Sequence, residues 1–382
     1  MSLLSAAIEW VRPRKRTMSL SRSQRASNRQ RWEKHSTQPA TTRRTVSIEK
    51  ITSENNNMVS LTISPDDQQP LDFKAGQFLT CYFKIPIESD DKKTQTIRRA
   101  YSLSSAPGSG RYTLSIKKLP KGEASQFIHK NLAIGDHFDI IGPSGDFVLQ
   151  ENPKESVFIA GGSGITPIKS QIESLLESDF TQTITLIYAN RNQRCIAFNK
   201  HFKELEKKHP NLKVIHTLSR PQASWKGQRG RVDSERLSTL FENIDHADTH
   251  FYLCGPSSLI DIAEMALANL NIPTKNIRKE RFLPAAKTII EHPKEAQQIK
   301  FLHFDRNVTA QPGETILEAG LRAGVPLQHS CQVGGCGHCK VAISSGEVIT
   351  DEPNCLSTTE IEQGVRLACL SYACNTVEIT DL

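Results

Sequence analysis

Three cysteines stand within nine residues, in Cys331-Gln-Val-Gly-Gly-Cys336-Gly-His-Cys339, and Cys369 follows thirty positions later. The spacing C-x4-C-x2-C…C suits four thiolates converging on a binuclear [2Fe–2S] cluster. A backbone that wraps a cluster tightly must turn its N–H groups onto the sulfurs, and Gly334, Gly335 and Gly337 permit that approach. Zinc is the competing reading, but zinc ligands usually come as two short-spaced pairs, and one pair is present. Cys374 stays open as an alternative fourth ligand, Cys355 lies outside the pattern, and His338 is expected to face solvent.

A second set of residues suits a flavin. Arg99-Ala-Tyr101-Ser102 offers a guanidinium for a phosphate, a ring for packing and a hydroxyl for the flavin N5 edge, although an ordinary exposed strand reads the same way. Gly122-Glu-Ala-Ser125 opens a helix-like stretch, and a helix N-terminus after a glycine turn is ready for a pyrophosphate; a simple N-cap is the plainer reading. Gly161-Gly-Ser-Gly164-Ile-Thr-Pro167 follows a strand and opens a helix, with Pro167 near its first turn. Such a turn cradles phosphate through its backbone N–H groups. It is not the G-x-G-x-x-G fingerprint, and Ala189-Asn-Arg191 stands where a standard dinucleotide fold carries an acidic residue.

The elements that must position these residues fall into three blocks. Strand patterns at 46–51, 58–63, 78–85, 99–104, 112–117 and 137–141, with a helical stretch at 124–132, predict an antiparallel barrel over 45–150. Over 151–284, buried-type strands at 156–160, 183–189, 213–219 and 250–254 alternate with helices near 167–178, 198–208, 234–242 and 257–270. That alternation predicts an α/β domain with a parallel sheet. A polar linker is expected over 285–298, followed by a compact module over 299–382.

The 382 residues are 37% hydrophobic and 23% charged, enough for two or three soluble domains. No uncharged apolar run reaches transmembrane length, and no secretory signal is visible. The net charge of +7 is uneven: +9 over residues 1–44, +3 over 45–298 and −5 over 299–382. The basic balance therefore belongs to the tail, and no nucleic-acid partner is expected for the body of the protein. Residues 1–44 read as a disordered, solvated arm. Leu4, Ile8 and Val11 share a helical face ahead of a basic run, a pattern that also allows contact with a membrane surface, and the Arg/Ser-rich composition also fits a mitochondrial transit peptide. Nine cysteines, three of them clustered, fit metal ligation in a reducing compartment, so a cytoplasmic location is expected, with the tail allowing peripheral contact at the inner membrane face.

In their order, Arg-Ala-Tyr-Ser, Gly142-Pro-Ser-Gly-Asp-Phe147, the Gly-Gly-Ser-Gly-Ile-Thr-Pro turn and Cys254-Gly-Pro256 resemble the ferredoxin–NADP reductase superfamily over 46–283. Pro326-Leu-Gln-His-Ser-Cys331 and Leu367-Ala-Cys369 resemble the cluster segments of plant-type ferredoxins over 299–382. The whole is similar to fused reductases that serve oxygenases. The resemblance implies an FAD barrel, an NAD(P) domain and an α+β ferredoxin (β-grasp) domain, with Cys331, Cys336, Cys339 and Cys369 as iron ligands. It implies Arg99, Tyr101, Ser102, Gly122 and Ser125 around FAD, and Gly162, Gly164 and Thr166 around the nicotinamide dinucleotide. Ser102, Cys254 and Glu280 would surround the hydride-transfer site, with Phe282 packing near the flavin or simply in the core. Ser219-Arg220 matches a pair that grips a 2′-phosphate, a slight preference for NADPH over NADH. The implied activity passes electrons from NAD(P)H through FAD and the cluster to an oxygenase, hydroxylase, desaturase or hybrid-cluster protein. A flavin and iron–sulfur redox sensor is the alternative from another class, but a sensor has no need of Ser102, Cys254 and Glu280 together.

Overall fold

Residues that alternate between core and solvent build the first domain. Strands β1 (Arg44–Asn55), β2 (Met58–Pro65), β3 (Phe78–Ile87), β4 (Asp90–Ser102) and β5 (Tyr112–Lys117) precede helix α1 (Glu123–Asn131) and strand β6 (His137–Ser144). They form one antiparallel sheet in the order β4-β3-β6-β1-β2-β5. Leu103, just past β4, bridges Leu114 on β5 and curls the sheet toward closure. Val46, Ile48, Leu61, Ile63, Leu79, Cys81 and Phe83 point inward at every second position. The Phe83 ring lies 5.0 Å from Phe138 and 6.3 Å from Tyr101. The strand expected at 99–104 takes in only the last four residues of β4 and runs two residues past its end. The polar first half has no alternation to betray it, and its ladder with β3, Pro86 opposite Thr94, holds it in place.

The computed structural model describes residues 43–382 apart from 88–89, 151–153, 179–180, 182, 242–247, 283–291, 352–353, 357 and 381–382. The expected tail as far as residue 42 and the first half of the expected linker, 285–291, lie outside the described residues. Arg44 already belongs to β1, where it pairs with Asp67 at 2.6 Å, and the first strand of the third domain begins at Gln297, two residues inside the expected linker. The described residues belong to one unit, Thr42–Leu382. No described helix is long and apolar enough to cross a membrane.

The second domain is a parallel sheet of β7 (Glu155–Gly161), β8 (Thr183–Asn190), β9 (Leu212–Leu218), β10 (Gln228–Arg229), β11 (Thr249–Gly255) and β12 (Ile277–Arg281). The helices between them are α2 (Ile165–Glu177), α3 (Asn199–Lys208), α4 (Ser234–Phe241) and α5 (Ser257–Asn269). Strand order is β10-β9-β8-β7-β11-β12, so the chain reverses direction across the sheet beside β7, where ligands of open α/β sheets bind. On β7, Phe158 and Ala160 pack under α2 and α3, while Val157 and Ile159 pack under α4 and α5. This two-sided burial is why its sequence is continuously apolar.

Helix α2 also joins this domain to the barrel. Lys169 Nζ donates to the Ser104 carbonyl at 3.0 Å, Ser170 Oγ to the Ser105 carbonyl at 2.7 Å, and Gln171 Nε2 to the Phe147 carbonyl at 2.7 Å. Lys169 further pairs with Glu173 at 2.7 Å, and His201 Nε2 meets the same carboxylate at 2.5 Å.

The third domain contains β13 (Gln297–Phe301), β14 (Arg306–Ala310), α6 (Ile316–Arg322), β15 (Lys340–Ser345), β16 (Val348–Thr350), α7 (Thr358–Glu362), β17 (Val365–Leu367), β18 (Ser371–Ala373) and β19 (Val377–Thr380). Its mixed sheet runs β14-β13-β19-β15-β17, with β16 and β18 paired separately. Ile316 and Leu317 of α6 pack with Ile299, Phe301, Leu367 and Ile379. A capping box starts that helix: Thr315 Oγ1 accepts from the Glu318 N–H, and Glu318 accepts from the Thr315 N–H.

Two outcomes test these joints. A Cβ on Gly164 would stand 2.2 Å from the Cys254 carbonyl oxygen, so Gly164→Ala is expected to lower the urea unfolding midpoint by the equivalent of about 1–3 kcal/mol. Burial pushes the Glu173 carboxyl up, but hydrogen bonds from His201 and Lys169 outweigh it and hold its pKa below the usual value. A depressed carboxylate contributes stability above its unfolded pKa that is lost as pH falls through the folded one. Glu173→Gln should therefore destabilise at pH 7, by about 1–3 kcal/mol, and the gap should close in melts at pH values below its ordinary 4.5.

Candidate functional site

A cavity of about 720 Å³ is walled by all three domains. The barrel contributes the end of β4, residues 98–102, together with Lys117, Gly122 and Ser125. Tyr101 lies edge-on to Phe83, and burial raises its phenol pKa. Ser102 is almost fully buried. At the turn before α1, the Ser125 hydroxyl donates to the Gly122 carbonyl at 2.9 Å and accepts from the Leu119 N–H at 3.0 Å. A Cβ on Gly122 would stand 2.5 Å from that oxygen, so only glycine fits. No side chain caps α1, which leaves its first N–H groups for an anion.

The nucleotide domain contributes Gly161, Gly162, Ser163 and Thr166 from the turn between β7 and α2, and Glu280, Arg281 and Phe282 from the end of β12. Gly162 has φ +54, and a Cβ there would stand 3.2 Å from Lys117 Nζ, which reaches over from β5. Thr166 Oγ1 donates to the Ser163 carbonyl at 3.0 Å and so stiffens the turn. Glu280 faces the cavity, yet its Oε2 is sealed from solvent and has no partner. Burial, reinforced by the charge of Cys331, pushes its pKa up to about 8, which favours the neutral acid at neutral pH. Cys254 is in register with Glu280 on the neighbouring strand, but it is fully buried in the core and does not line the cavity. Gly164 is likewise pressed on the Cys254 carbonyl, away from the cavity lining.

Ser219 and Arg220 also lie outside the cavity. They are exposed at the end of β9, with their N–H groups bonded to the carbonyls of Asn190 and Arg191 at 3.0 and 2.7 Å. Two strand spacings, roughly 10 Å, separate β9 from β7. That span suits the far end of an extended dinucleotide whose other end lies at the β7 turn.

The third domain contributes Cys331, Gln332, Val333, Gly335 and Cys336, with Asp351, Leu370 and Tyr372. The N–H groups of Val333, Gly335 and Cys336 point at Cys331 Sγ from 3.4, 3.3 and 3.4 Å, and the Cys331 N–H points at Cys336 Sγ from 3.5 Å. The four thiols lie as two neighbouring pairs, Cys331 beside Cys336 and Cys339 beside Cys369. Among the described residues no three His, Cys, Asp or Glu side chains are grouped so as to hold a metal ion. Two thiol pairs backed by amides fit a cluster of two irons better than one zinc ion. The Cys374 thiol instead turns toward the Tyr372 carbonyl. His338 departs from its solvent-facing expectation: its Nε2 meets Asp146 Oδ2 of the barrel at 2.7 Å. Asp146 and His338 are 192 residues apart, a pairing that no local pattern announces. Arg98 and Lys117, too, line the cavity without any motif to single them out.

Three family models match the chain in order: an oxidoreductase FAD-binding domain over residues 44–149, an oxidoreductase NAD-binding domain over 158–265 and a 2Fe-2S cluster-binding domain over 302–374. The ferredoxin reductase component of 3-ketosteroid-9-alpha-monooxygenase from Mycobacterium tuberculosis is 30% identical over 81% of this chain and 86% of its own. The chain belongs to the ferredoxin–NADP reductase superfamily, fused to a C-terminal plant-type ferredoxin. A component of the 1,2-phenylacetyl-CoA epoxidase of Escherichia coli is 28% identical to this reductase over 86% of the chain and 94% of its own. The fold is shared with phthalate dioxygenase reductase, at TM-score 0.63 and 23% identity over 91% of this chain and 99% of that one. The reductase is an NAD(P)H-dependent oxidoreductase with FAD and [2Fe–2S] as cofactors, and it carries electrons from NAD(P)H through FAD to the cluster.

Serine at Cys331, Cys336, Cys339 or Cys369 is expected to remove the cluster, read as iron content and visible absorbance, whereas Cys374→Ser and Cys355→Ser should keep it. The loop glycines should divide in the same assay. Gly334 has φ +75 and a Cβ there would meet Leu370 at 2.2 Å, so Gly334→Ala should lose iron; Gly335 has open space, so Gly335→Ala should retain it.

Proposed function

We propose that the reductase supplies electrons to an oxygenase component, using NADPH as its preferred donor. The observation that carries this reading is the shared cavity, in which β4, the end of β12 and the cluster loop face one another. When bound, FAD takes an electron pair from the nicotinamide and releases it one electron at a time to the cluster. Arg99 and the N-terminal N–H groups of α1 would hold the flavin's phosphates, with Gly122 and Ser125 shaping that turn. Tyr101 and Phe282 would pack on its rings, and Ser102 would bond its reacting edge. Glu280 would present its sealed carboxyl to that edge, and Cys254, buried behind it, supports the wall.

Gly162 and Thr166 shape the turn that receives the dinucleotide, Gly164 seats that turn on β11, and Ser219 and Arg220 would grip a 2′-phosphate. Cys331, Cys336, Cys339 and Cys369 hold the irons in this reading. Of the relatives named above, one is the reductase component of a monooxygenase and another a component of an epoxidase, which supports an oxygenase over the other acceptors. The −5 charge of residues 299–382, with Asp305, Glu347 and Glu362 exposed, suits a basic docking face on that partner.

Coenzyme choice is read by kcat/KM. Arg220→Ala should cost NADPH about tenfold or more and leave NADH nearly unchanged, as expected for a lost charge-assisted phosphate contact. The acceptor is tested by reduction of a purified Rieske or di-iron oxygenase component. Reduction should require Cys331 and slow as ionic strength rises. An oxygenase that takes electrons equally from the Cys331→Ser protein, or at a salt-independent rate, contradicts the reading.

A further inference from the structure

The cluster loop has two faces. Its inward N–H groups point at sulfur, while its outward groups are gripped by the barrel at both ends and between. Thr80 Oγ1, on a nearly fully buried side chain, donates to the carbonyl of the ligand Cys331 at 3.1 Å. Arg98 Nη1 donates to Gln332 Oε1 at 3.4 Å and to Glu318 Oε1 on α6 at 3.2 Å. Asp146 closes the far end of the loop on His338 at 2.7 Å. On the barrel these residues come from three adjacent strands or their ends: Tyr82 pairs with Arg98 on β4, Thr80 pairs with Ile141 on β6, and Asp146 follows β6 by two residues. On the loop, Gln332 holds φ +53, a left-handed conformation that a non-glycine residue keeps only where its surroundings impose it.

We propose that Thr80, Arg98 and Asp146 are positioning residues for electron transfer: a seam on the β4-β3-β6 edge that fixes the cluster loop against the flavin cavity. The inference rests on electron flow from flavin to cluster within the chain. Thr80 and Asp146 lie outside the cavity lining, so the seam can be cut there without touching the residues assigned to the flavin.

The test compares the holoprotein with a Thr80→Val/Asp146→Ala double variant and with the conservative Thr80→Ser. Anaerobic rapid mixing with NADPH and with NADH follows the flavin and cluster absorbances separately, and hydrogen exchange follows the amides of residues 331–338. In the double variant the loop amides should exchange about tenfold faster or more. Its cluster-reduction phase should slow about tenfold or more while the flavin phase stays within about twofold. Thr80→Ser should behave as the unsubstituted protein. Unchanged loop exchange in the double variant overturns the proposal, as does a flavin phase that falls in step with the cluster phase. A cluster that stays oxidised in the unsubstituted protein would instead count against electron flow itself, and the exchange measurement would still decide the seam.

Discussion

The packing of Cys331 into the wall of the cavity shared by the three domains is the constraint on which the rest of this architecture depends. One residue is at once an iron ligand in the proposed reading, a hydrogen-bond acceptor from the barrel and a neighbour of the Glu280 carboxyl from the nucleotide domain. Three domains must therefore be held in register to within ordinary contact distances. The joints combine polar groups with apolar packing: Met58 and Phe147 of the barrel enter the core of the nucleotide domain, and hydrogen bonds fix the register around them. Helix α2 grips the barrel through Lys169, Ser170 and Gln171 while carrying the glycine turn at its N-terminus. The β4-β3-β6 edge grips the cluster loop while β4 lines the cavity.

Close approach explains the glycines better than flexibility does. Gly164 lets α2 start on the end of β11, Gly122 lets Ser125 fold onto its own turn, and Gly334 passes over Leu370. At each of these positions a single added carbon would collide with its neighbours, whereas Gly335, in the same loop as Gly334, has room. Glycine content alone is thus a poor guide to which position matters.

Much of this was legible in the residues. Period-two alternation located β1, β2, β3, β5 and β6, and the strand–helix alternation located the parallel sheet, because both patterns follow from local burial. The thiol spacing pointed to a cluster because four ligands at fixed separations restrict the chemistry strongly. What the residues do not announce is whatever depends on contacts beyond the local pattern. The polar half of β4 is held by its partner strand, Lys117 reaches from β5 to the glycine turn of another domain, and His338 meets an aspartate of the barrel. The reading of His338 as solvent-facing failed for that reason: a histidine among glycines looks exposed until the barrel is set beside it. Cys254 was recognised by its motif, yet its side chain follows the strand's alternation into the core.

The central claim is that one chain carries electrons from nicotinamide through flavin to its own cluster across a shared cavity. The most direct measurement is an anaerobic equilibrium titration of the cofactor-replete protein with NADH and with NADPH, following the flavin and cluster bands in the visible spectrum. The account predicts that both bands bleach with no second protein present. A flavin that bleaches while an intact cluster stays oxidised would contradict it.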